Sequence, residues 1–325
     1  MNLAHLHLVM NHVPTIGSVA ALGLLLLGYV RRNDHLKHVG LEVLFIVALL
    51  TLPVYVSGVA GYYEIRERPE VSVDAMKLHQ DVALFGFGWM MIAGFVAWTA
   101  LWTWRRHGRP GRGLVPAATL LLVITLVVMG SAANLGGEIR HPEILAGGPS
   151  TSLGAGAAAA PAGDPDRFFT SAITQVAVYS TWVWPAAETV HFLGLSLSLG
   201  VLLAINLRLL GFLSQVPFAD VHRLLPWGML GFGANLITGM FFFVGQPAQY
   251  TSSNPFYWKI VFLVTAGANF LYLTVFGKAW NREGAGAAAR FEPNVADKAM
   301  AIVSLAAWLG VLYAGRMLPF LGKSF

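Results

Sequence analysis

The chain has 325 residues, is 56% hydrophobic and only 11% charged, and contains no cysteine. A soluble domain carries about 25% charged residues, so this composition excludes an ordinary soluble fold and predicts an all-α integral membrane protein. The absence of cysteine excludes disulfides, a cysteine-ligated iron–sulfur cluster and covalently attached c-type haem. The net charge of +5 does not indicate nucleic-acid binding, because the basic residues lie in short connections between apolar segments.

Eight segments are long enough to cross a bilayer, since a span needs about 20 mostly apolar residues. They lie at approximately 12–30, 40–60, 82–104, 113–133, 185–212, 226–245, 256–280 and 297–318. An Ala/Gly/Pro/Ser tract at 146–166 divides the chain, and we therefore predict two fused four-helix bundles at 1–145 and 185–325. Residues 146–184 are interpreted as a periplasmic linker followed by an aromatic interfacial segment.

Basic residues predict the orientation of the spans. Lys and Arg are concentrated in the connections after spans one, three, five and seven, as in Arg31-Arg32 and Arg105-Arg106. By the positive-inside rule both termini are periplasmic, in a multi-pass protein of the bacterial inner membrane. Some histidines then gather at the outer side: His5, His7, His12, His79, His141 and His191. The others, His35, His38, His107 and His222, are expected to be solvated residues of the basic connections.

The outer histidines of the first bundle predict a haem site. His12 lies close to Pro14, which is accepted in a first helical turn; His79 opens the third span and His141 follows the fourth. Haem iron takes axial nitrogens from facing helices, so we predict haem b with His12 and His79 as favoured ligands. His141 is the third candidate and His7 the fourth.

Other residues of this bundle fit the same hypothesis. Arginines and lysines at its outer end are placed to meet haem propionates; they are Arg140, Lys77, Arg66 and Arg68. Glycines would let helices or a porphyrin approach closely; they are Gly58, Gly61, Gly86, Gly88, Gly130, Gly136 and Gly137. The alternative is that the histidines are simply tolerated at headgroup depth and the glycines serve helix packing.

The fifth span carries Glu188 and His191, three residues apart and therefore on one helical face. Ionisable residues inside a span indicate a functional site, and Lys259 in span seven is the expected partner. One interpretation is a structural ion pair between Glu188 and Lys259, with His191 hydrogen-bonded beside it. In another, His191 ligates a second haem with Met240, Lys259 or a histidine of the first half. In a third, the cluster binds a quinone headgroup.

Two resemblances support these hypotheses. The order of LHLVMNHVP, LHQDVAL and GGE followed by a histidine resembles a family of small four-helix bacterial membrane domains, similar in plan to transmembrane cytochromes b. It covers residues 1 to about 145 and implies that His12, His79 and His141 are the characteristic positions. Roughly residues 175–285 resemble a second bacterial membrane family with Glu-x-x-His in its first helix. That family has an acidic residue at the helix exit, where this chain has Asn206.

These expectations together predict a membrane b-type cytochrome subunit of a respiratory or electron-transfer complex, and not a self-contained enzyme. Haem b, as one or two groups, would exchange electrons with the quinone pool and with a periplasmic carrier such as a c-type cytochrome. Its partners would be other subunits of a membrane redox complex and lipid, with no nucleic acid. The alternatives are a haem-free membrane anchor or assembly subunit, or a transporter. A transporter would need repeat symmetry and broken helices at mid-bilayer, which the sequence does not offer.

Overall fold

The computed structural model describes residues 3–68, 72–140, 169–276 and 293–321, and these residues form α-helices joined by turns, without a β-strand among them. The first helices are α1 (Leu3–Met10), α2 (His12–Val30), α3 (Asp34–Ile65), α4 (Val73–His107), α5 (Leu114–Arg140) and α6 (Phe169–Tyr179). The later ones are α7 (Val183–Leu210), α8 (Phe218–His222), α9 (Leu225–Gly245), α10 (Pro247–Thr251), α11 (Asn254–Leu271) and α12 (Val295–Leu321). A π-helical turn, Tyr272–Phe276, continues α11.

Eight helical segments of the described chain are long and apolar enough to cross a membrane, which confirms the predicted fold class and number of spans. They are Leu3–Val30, Asp34–Ile65, Val73–His107, Leu114–Gly137, Val183–Leu210, Asp220–Gly245, Asn254–Val275 and Val295–Leu318. The first and third begin nine residues earlier than the predictions of 12 and 82. His7 and His79 therefore lie within helices and not ahead of them.

Local chemistry fixes several helix ends. Asn33 begins α3, where its side-chain oxygen accepts hydrogen bonds from the N–H groups of His35 and Leu36 at 2.9 and 3.2 Å. Such capping satisfies N–H groups that have no partner inside the helix. Gly108 and Gly211 end α4 and α7 with left-handed φ values of 67° and 96°. Glycine adopts this conformation without the steric cost that a Cβ would impose.

The chain divides into two compact units, Met1–Ile173 and Thr174–Phe325, with the boundary inside α6. In the first unit α4 packs against α3 and α5, α2 packs against α3 and α5, and the short α1 rests on α3. In the second unit α7 packs against α9 and α12, and α11 packs against α12. Glycines bring α7 and α9 together, since a Cβ on Gly194 would lie 2.8 Å from the Gly231 carbonyl oxygen. The predicted linker tract at 146–166 lies outside the described residues.

Asp81 anchors the start of α6 in the first unit. Its buried carboxylate accepts hydrogen bonds from the backbone N–H groups of Phe169 and Thr170 at 2.8 and 3.0 Å, and from the Thr170 hydroxyl at 2.6 Å. A carboxylate is favoured at this position because the first N–H groups of a helix are unpaired and carry partial positive charge. The sequence analysis did not single out this acid, although it lies inside a span.

Candidate functional site

His7 is held against α3 by one hydrogen bond and one glycine. Its ring Nδ1 lies 3.0 Å from the carbonyl oxygen of Val54, and a carbonyl can only accept, so Nδ1 donates. The ring lies against Gly58, one helical turn beyond Val54. A methyl group at position 58 would lie 2.7 Å from Cε1 of His7, closer than packed carbon atoms approach each other. Only glycine admits the ring at this distance.

The same face of α3 positions the whole of α1. A methyl group on Gly61 would lie 3.2 Å from the Cα of Ala4, so the two helices meet backbone to backbone. One turn further, the carboxylate of Glu64 accepts hydrogen bonds from the N–H groups of Leu3 and Ala4 at 3.1 and 3.2 Å. Because this cap holds the first described residues of α1 against α3, it fixes where His7 falls along α3.

His79 has the same arrangement on the next pair of helices. Its Nδ1 lies 2.8 Å from the carbonyl oxygen of Ala132 on α5, to which it donates. Gly136, one turn beyond Ala132, receives the ring, and a methyl group there would lie 3.2 Å from Cε1 of His79. We call this arrangement a histidine seat: an acceptor on a neighbouring helix binds Nδ1–H, and a small residue about one turn later makes room for the ring.

The two seats leave the imidazoles of His7 and His79 in the same tautomer. With Nδ1–H donated to a carbonyl, Nε2 of the neutral ring carries the lone pair. His7 and His79 are near enough to interact electrostatically. A backbone carbonyl accepting from the far nitrogen of the ring is the usual outer-shell support of a metal-ligating histidine.

A third histidine seat lies in the second unit. Nδ1 of His191 lies 2.8 Å from the hydroxyl oxygen of Thr238 on α9. That hydroxyl lies 2.7 Å from the carbonyl oxygen of Ala234, to which it donates, so it accepts from His191. Thr238 follows Ala234 by one turn, as Gly136 follows Ala132, and Gly239 adjoins the ring, where a methyl group would lie 3.6 Å from Cε1. This third seat differs from the first two: the hydroxyl of Thr238 replaces the backbone carbonyl as acceptor, and the adjoining glycine is the next residue and leaves the ring in ordinary van der Waals contact.

Lys259 interacts electrostatically with His191 and lies along Gly315 of α12, where a methyl group would be 3.7 Å from Nζ. Both Glu188 and Lys259 are described, and no ion pair joins them; Glu188 is exposed. The structural ion pair considered above is therefore not found. Glu188 acts instead on Tyr250, whose pKa is raised to about 12, first by burial and then by the nearby carboxylate.

Other predicted ligands are placed differently from His7 and His79. His12, favoured from the sequence, begins α2 with an exposed side chain, and its carbonyl accepts from the Thr15 hydroxyl at 3.0 Å. His141 lies outside the described residues, and Arg140 is the last residue of α5. Met240 follows Thr238 by two residues, so the two side chains point in nearly opposite directions on α9.

The predicted propionate partners are only partly defined by the structure. The Arg66 guanidinium lies 4.9 Å from the centre of the Tyr63 ring and 3.8 Å from a carboxylate oxygen of Glu67. Lys77 is half-buried near the start of α4, whereas Arg68 is exposed beyond the end of α3. Arg66 and Arg68 are thus at the end of α3 that carries the seat of His7.

The glycines predicted to admit helices or a porphyrin have different surroundings. Gly58 and Gly136 admit imidazoles, and Gly61 admits the backbone of α1. A methyl group on Gly86 would lie 3.1 Å from Cγ of Met129, which is helix packing. Around the remaining three, no atom of the described residues lies within 4 Å of the methyl position; they are Gly88, Gly130 and Gly137.

Two histidines of the basic connections, His38 and His222, lie within helices and are partly buried. His38 was expected to be a solvated loop residue, but it lies within α3 and is partly buried. Its Nδ1 is 3.2 Å from a carboxylate oxygen of Glu42, and its ring contacts the edge of Trp104 at 5.1 Å between centroids. The prediction was wrong because α3 begins at Asp34, earlier than the apolar run that marks the span.

Sequence reasoning missed the features that orient the imidazoles. Val54 and Ala132 contribute backbone carbonyls, which every residue has, so no sequence signal identifies them. Thr238 is a polar residue within a span, and that property could have suggested its hydrogen bond to His191. In the described ranges no group of three or more His, Asp or Glu side chains could hold a metal ion.

The geometry and fold define an α-helical integral membrane protein with eight candidate spans and three seated histidines. When the chain is compared with known proteins, no family model, no curated protein and no solved structure matches it. The resemblances to two bacterial membrane families therefore stay predictions.

Proposed function

We propose that the first unit binds haem b with His7 and His79 as its axial ligands, and that the protein is a membrane b-type cytochrome subunit. The observation that carries this proposal is the pair of seated imidazoles. Each donates Nδ1–H to a carbonyl of a neighbouring helix, at 3.0 and 2.8 Å, and each keeps its Nε2 lone pair.

The donor set fits a haem. Haem iron in a helical bundle takes one nitrogen from each of two facing elements, and His7 on α1 and His79 on α4 supply two. The electrostatic interaction between His7 and His79 supports placing both in one site. The exposed side chain of His12 favours His7 in the pair with His79.

The chain's own residues would orient the two imidazole rings and exclude water from them. The carbonyls of Val54 and Ala132 hold each ring at a fixed rotation and make the Nε2 lone pair a stronger ligand for a metal. Apolar helices exclude water around them, and Arg66, Arg68, Lys77 and Arg140 remain the proposed partners of acidic haem side chains. When bound, haem supplies reversible one-electron transfer.

The wider assignment follows from composition and charge. We propose a bacterial inner-membrane protein with periplasmic termini that passes electrons between the quinone pool and a periplasmic carrier such as a c-type cytochrome, within a larger redox complex. The basic connections support this orientation. The haem-free anchor remains the competing function, and the same measurement separates the two.

A reduced-minus-oxidised spectrum of purified full-length protein, produced with ample haem, tests the proposal. We expect a reversible absorption band, which His7→Ala and His79→Ala each abolish because one axial nitrogen is lost. His12→Ala is the matched control and should keep the band.

Rescue by added imidazole distinguishes the loss of a ligand from the loss of the fold. His79→Gly leaves a cavity in which added imidazole should restore the band if the protein is folded and the ring is the ligand. The proposal is overturned if the wild-type protein contains no haem, or if His12→Ala loses the band while His7→Ala retains it.

A further inference from the structure

Two asparagine side chains of the second unit each have a buried amide oxygen without a partner. They are Asn206 on α7 and Asn269 on α11, with 0% and 4% of their surface exposed. No hydrogen bond of the described residues reaches Oδ1 of either side chain. A buried acceptor that lacks a donor is costly, and a lipid tail cannot supply one. Each oxygen therefore requires a ligand.

Hydrogen bonds bring both amides to one turn of α12, which packs against α7 and α11. Nδ2 of Asn206 donates to the hydroxyl oxygen of Ser304 at 3.0 Å. Nδ2 of Asn269 donates to the carbonyl oxygen of Met300, also at 3.0 Å. Met300 and Ser304 lie one turn apart, and a helical side chain extends back over the turn before its own Cα. The two amides therefore flank the turn of α12 between Met300 and Ser304.

The surroundings of the two oxygens favour a positively charged ligand. Asn206 lies in the last turn of α7, where carbonyl groups without intrahelical partners carry partial negative charge. Asn269 lies just before the π-helical turn Tyr272–Phe276, and such turns are frequent at functional sites. Arg208 points away from Asn206, because side chains two residues apart lie on nearly opposite sides of a helix, and its Nε donates to the carbonyl of Val216 at 2.7 Å.

Asp297 supplies a full negative charge on the same face of α12. It precedes Met300 by about one turn and Ser304 by about two, so the three side chains share that face. Asp297 is 8% exposed, and none of the ion pairs of the described residues includes it. Its Oδ2 accepts a hydrogen bond from the Asn294 N–H at 3.0 Å, which caps α12 but does not balance the charge. A charge buried in a span is costly unless it is paired.

We infer that this turn of α12 binds one alkali-metal cation, Na⁺ or K⁺, through the amide oxygens of Asn206 and Asn269. Uncharged carbonyl oxygens replace the hydration shell of such cations in membrane proteins. The single carboxylate of Asp297 balances a single positive charge. A divalent ion would need more acidic ligands, and the described residues contain no group of three or more histidine or acidic side chains able to hold one. A water molecule could donate to both oxygens, but it would not balance the charge of Asp297.

Equilibrium binding of sodium-22, and of rubidium-86 in place of potassium, to the purified protein in detergent tests the inference. We expect saturable binding of one cation per chain. Asn206→Leu and Asn269→Leu each remove an oxygen and keep the size of the side chain, so each should weaken binding at least tenfold. Asp297→Asn removes the charge and should also weaken binding. Asn235→Ala is the matched control and should bind as the wild type does, because that amide donates within α9 to the carbonyl of Gly231.

A second measurement uses the unfolding temperature. The wild-type protein should unfold at a higher temperature in NaCl or KCl than in N-methylglucamine chloride of the same ionic strength, because a ligand of the folded state stabilises it. Asn206→Ala and Asn269→Ala replace any leucine variant that does not elute as a monodisperse species. The inference is overturned if the wild type binds neither cation saturably, which would leave water as the occupant, or if both asparagine variants bind as tightly as the wild type. Neither readout depends on haem, so the inference and the cytochrome proposal fail separately.

Discussion

The Gly58→Ala substitution provides a direct measurement of how tightly His7 is seated. The new methyl group would lie 2.7 Å from Cε1 and 3.0 Å from Nδ1 of the ring. Carbon atoms prefer separations of about 3.5–4.0 Å, so the imidazole must move by about 0.8 Å or more. A shift of this size along the Nδ1–O direction would stretch the 3.0 Å hydrogen bond to Val54 beyond bonding distance.

The expected loss of stability follows from three contributions. Overpacking costs about 1–3 kcal/mol, and loss of the hydrogen bond costs about 1 kcal/mol. Alanine is a better helix former than glycine by about 1 kcal/mol, which offsets the second contribution. The free energy of unfolding should therefore fall by about 1–3 kcal/mol, and haem binding through His7 should fall with it.

Alanine substitutions at two further glycines give an expected order of stability. At Gly136 the methyl group would be 3.2 Å from Cε1 of His79, so a small adjustment suffices and the loss should be smaller than at Gly58. At Gly137 no atom of the described residues lies within 4 Å, so alanine should be neutral or stabilising.

Unfolding of the purified variants in mixed detergent, followed by circular dichroism, measures these differences under one set of conditions. The expected order of stability is Gly137→Ala, then Gly136→Ala, then Gly58→Ala. The reasoning would be refuted if Gly58→Ala unfolded at the same point as Gly137→Ala, because His7 would then not lie against this glycine.

Two other substitutions test polar contacts at helix ends. Asp81→Asn keeps the shape of the side chain but removes a charge-assisted acceptor of hydrogen bonds. The backbone amides of Phe169 and Thr170 should therefore exchange hydrogen faster, by a factor of about 10 for each 1.4 kcal/mol lost. Unchanged exchange would show that the carboxylate does not hold α6. Tyr250 has a pKa of about 12 in the folded protein and about 10 when unfolded, so the unfolded state loses its proton first and stability falls as the pH rises from 10 to 12. Tyr250→Phe should reduce that fall, and identical pH profiles of the two proteins would contradict the assignment.

The sequence was sufficient to predict the spans, because their length and apolar composition are local properties of about 20 residues each. It also predicted His79 and His191 as site residues, since each lies near the start of an apolar segment. It preferred His12 to His7 because the apolar run begins near Pro14. In the structure His7 lies within α1, and Glu64 accepts a hydrogen bond from the Leu3 N–H from 61 residues away along the chain.

Long-range contacts explain the remaining differences between prediction and structure. The acceptors of His7 and His79 are backbone carbonyls of Val54 and Ala132, which become visible only once neighbouring helices are placed side by side. Asp81 likewise acquires its partner at Phe169, 88 residues later. A hydrophobicity pattern reports burial in lipid, but it does not report which polar atom of another helix a side chain will meet.

The histidine seats also have a consequence for helix register. Lipid tails are as apolar as leucine side chains, so hydrophobic contacts alone do little to stop one helix from sliding along another in a bilayer. Each seat joins a ring on one helix to a single acceptor on its neighbour, and a slide of one residue, about 1.5 Å, would break that hydrogen bond and drive the ring out of the space beside it. The three histidines thus fix the register of three helix pairs, which are α1 with α3, α4 with α5, and α7 with α9.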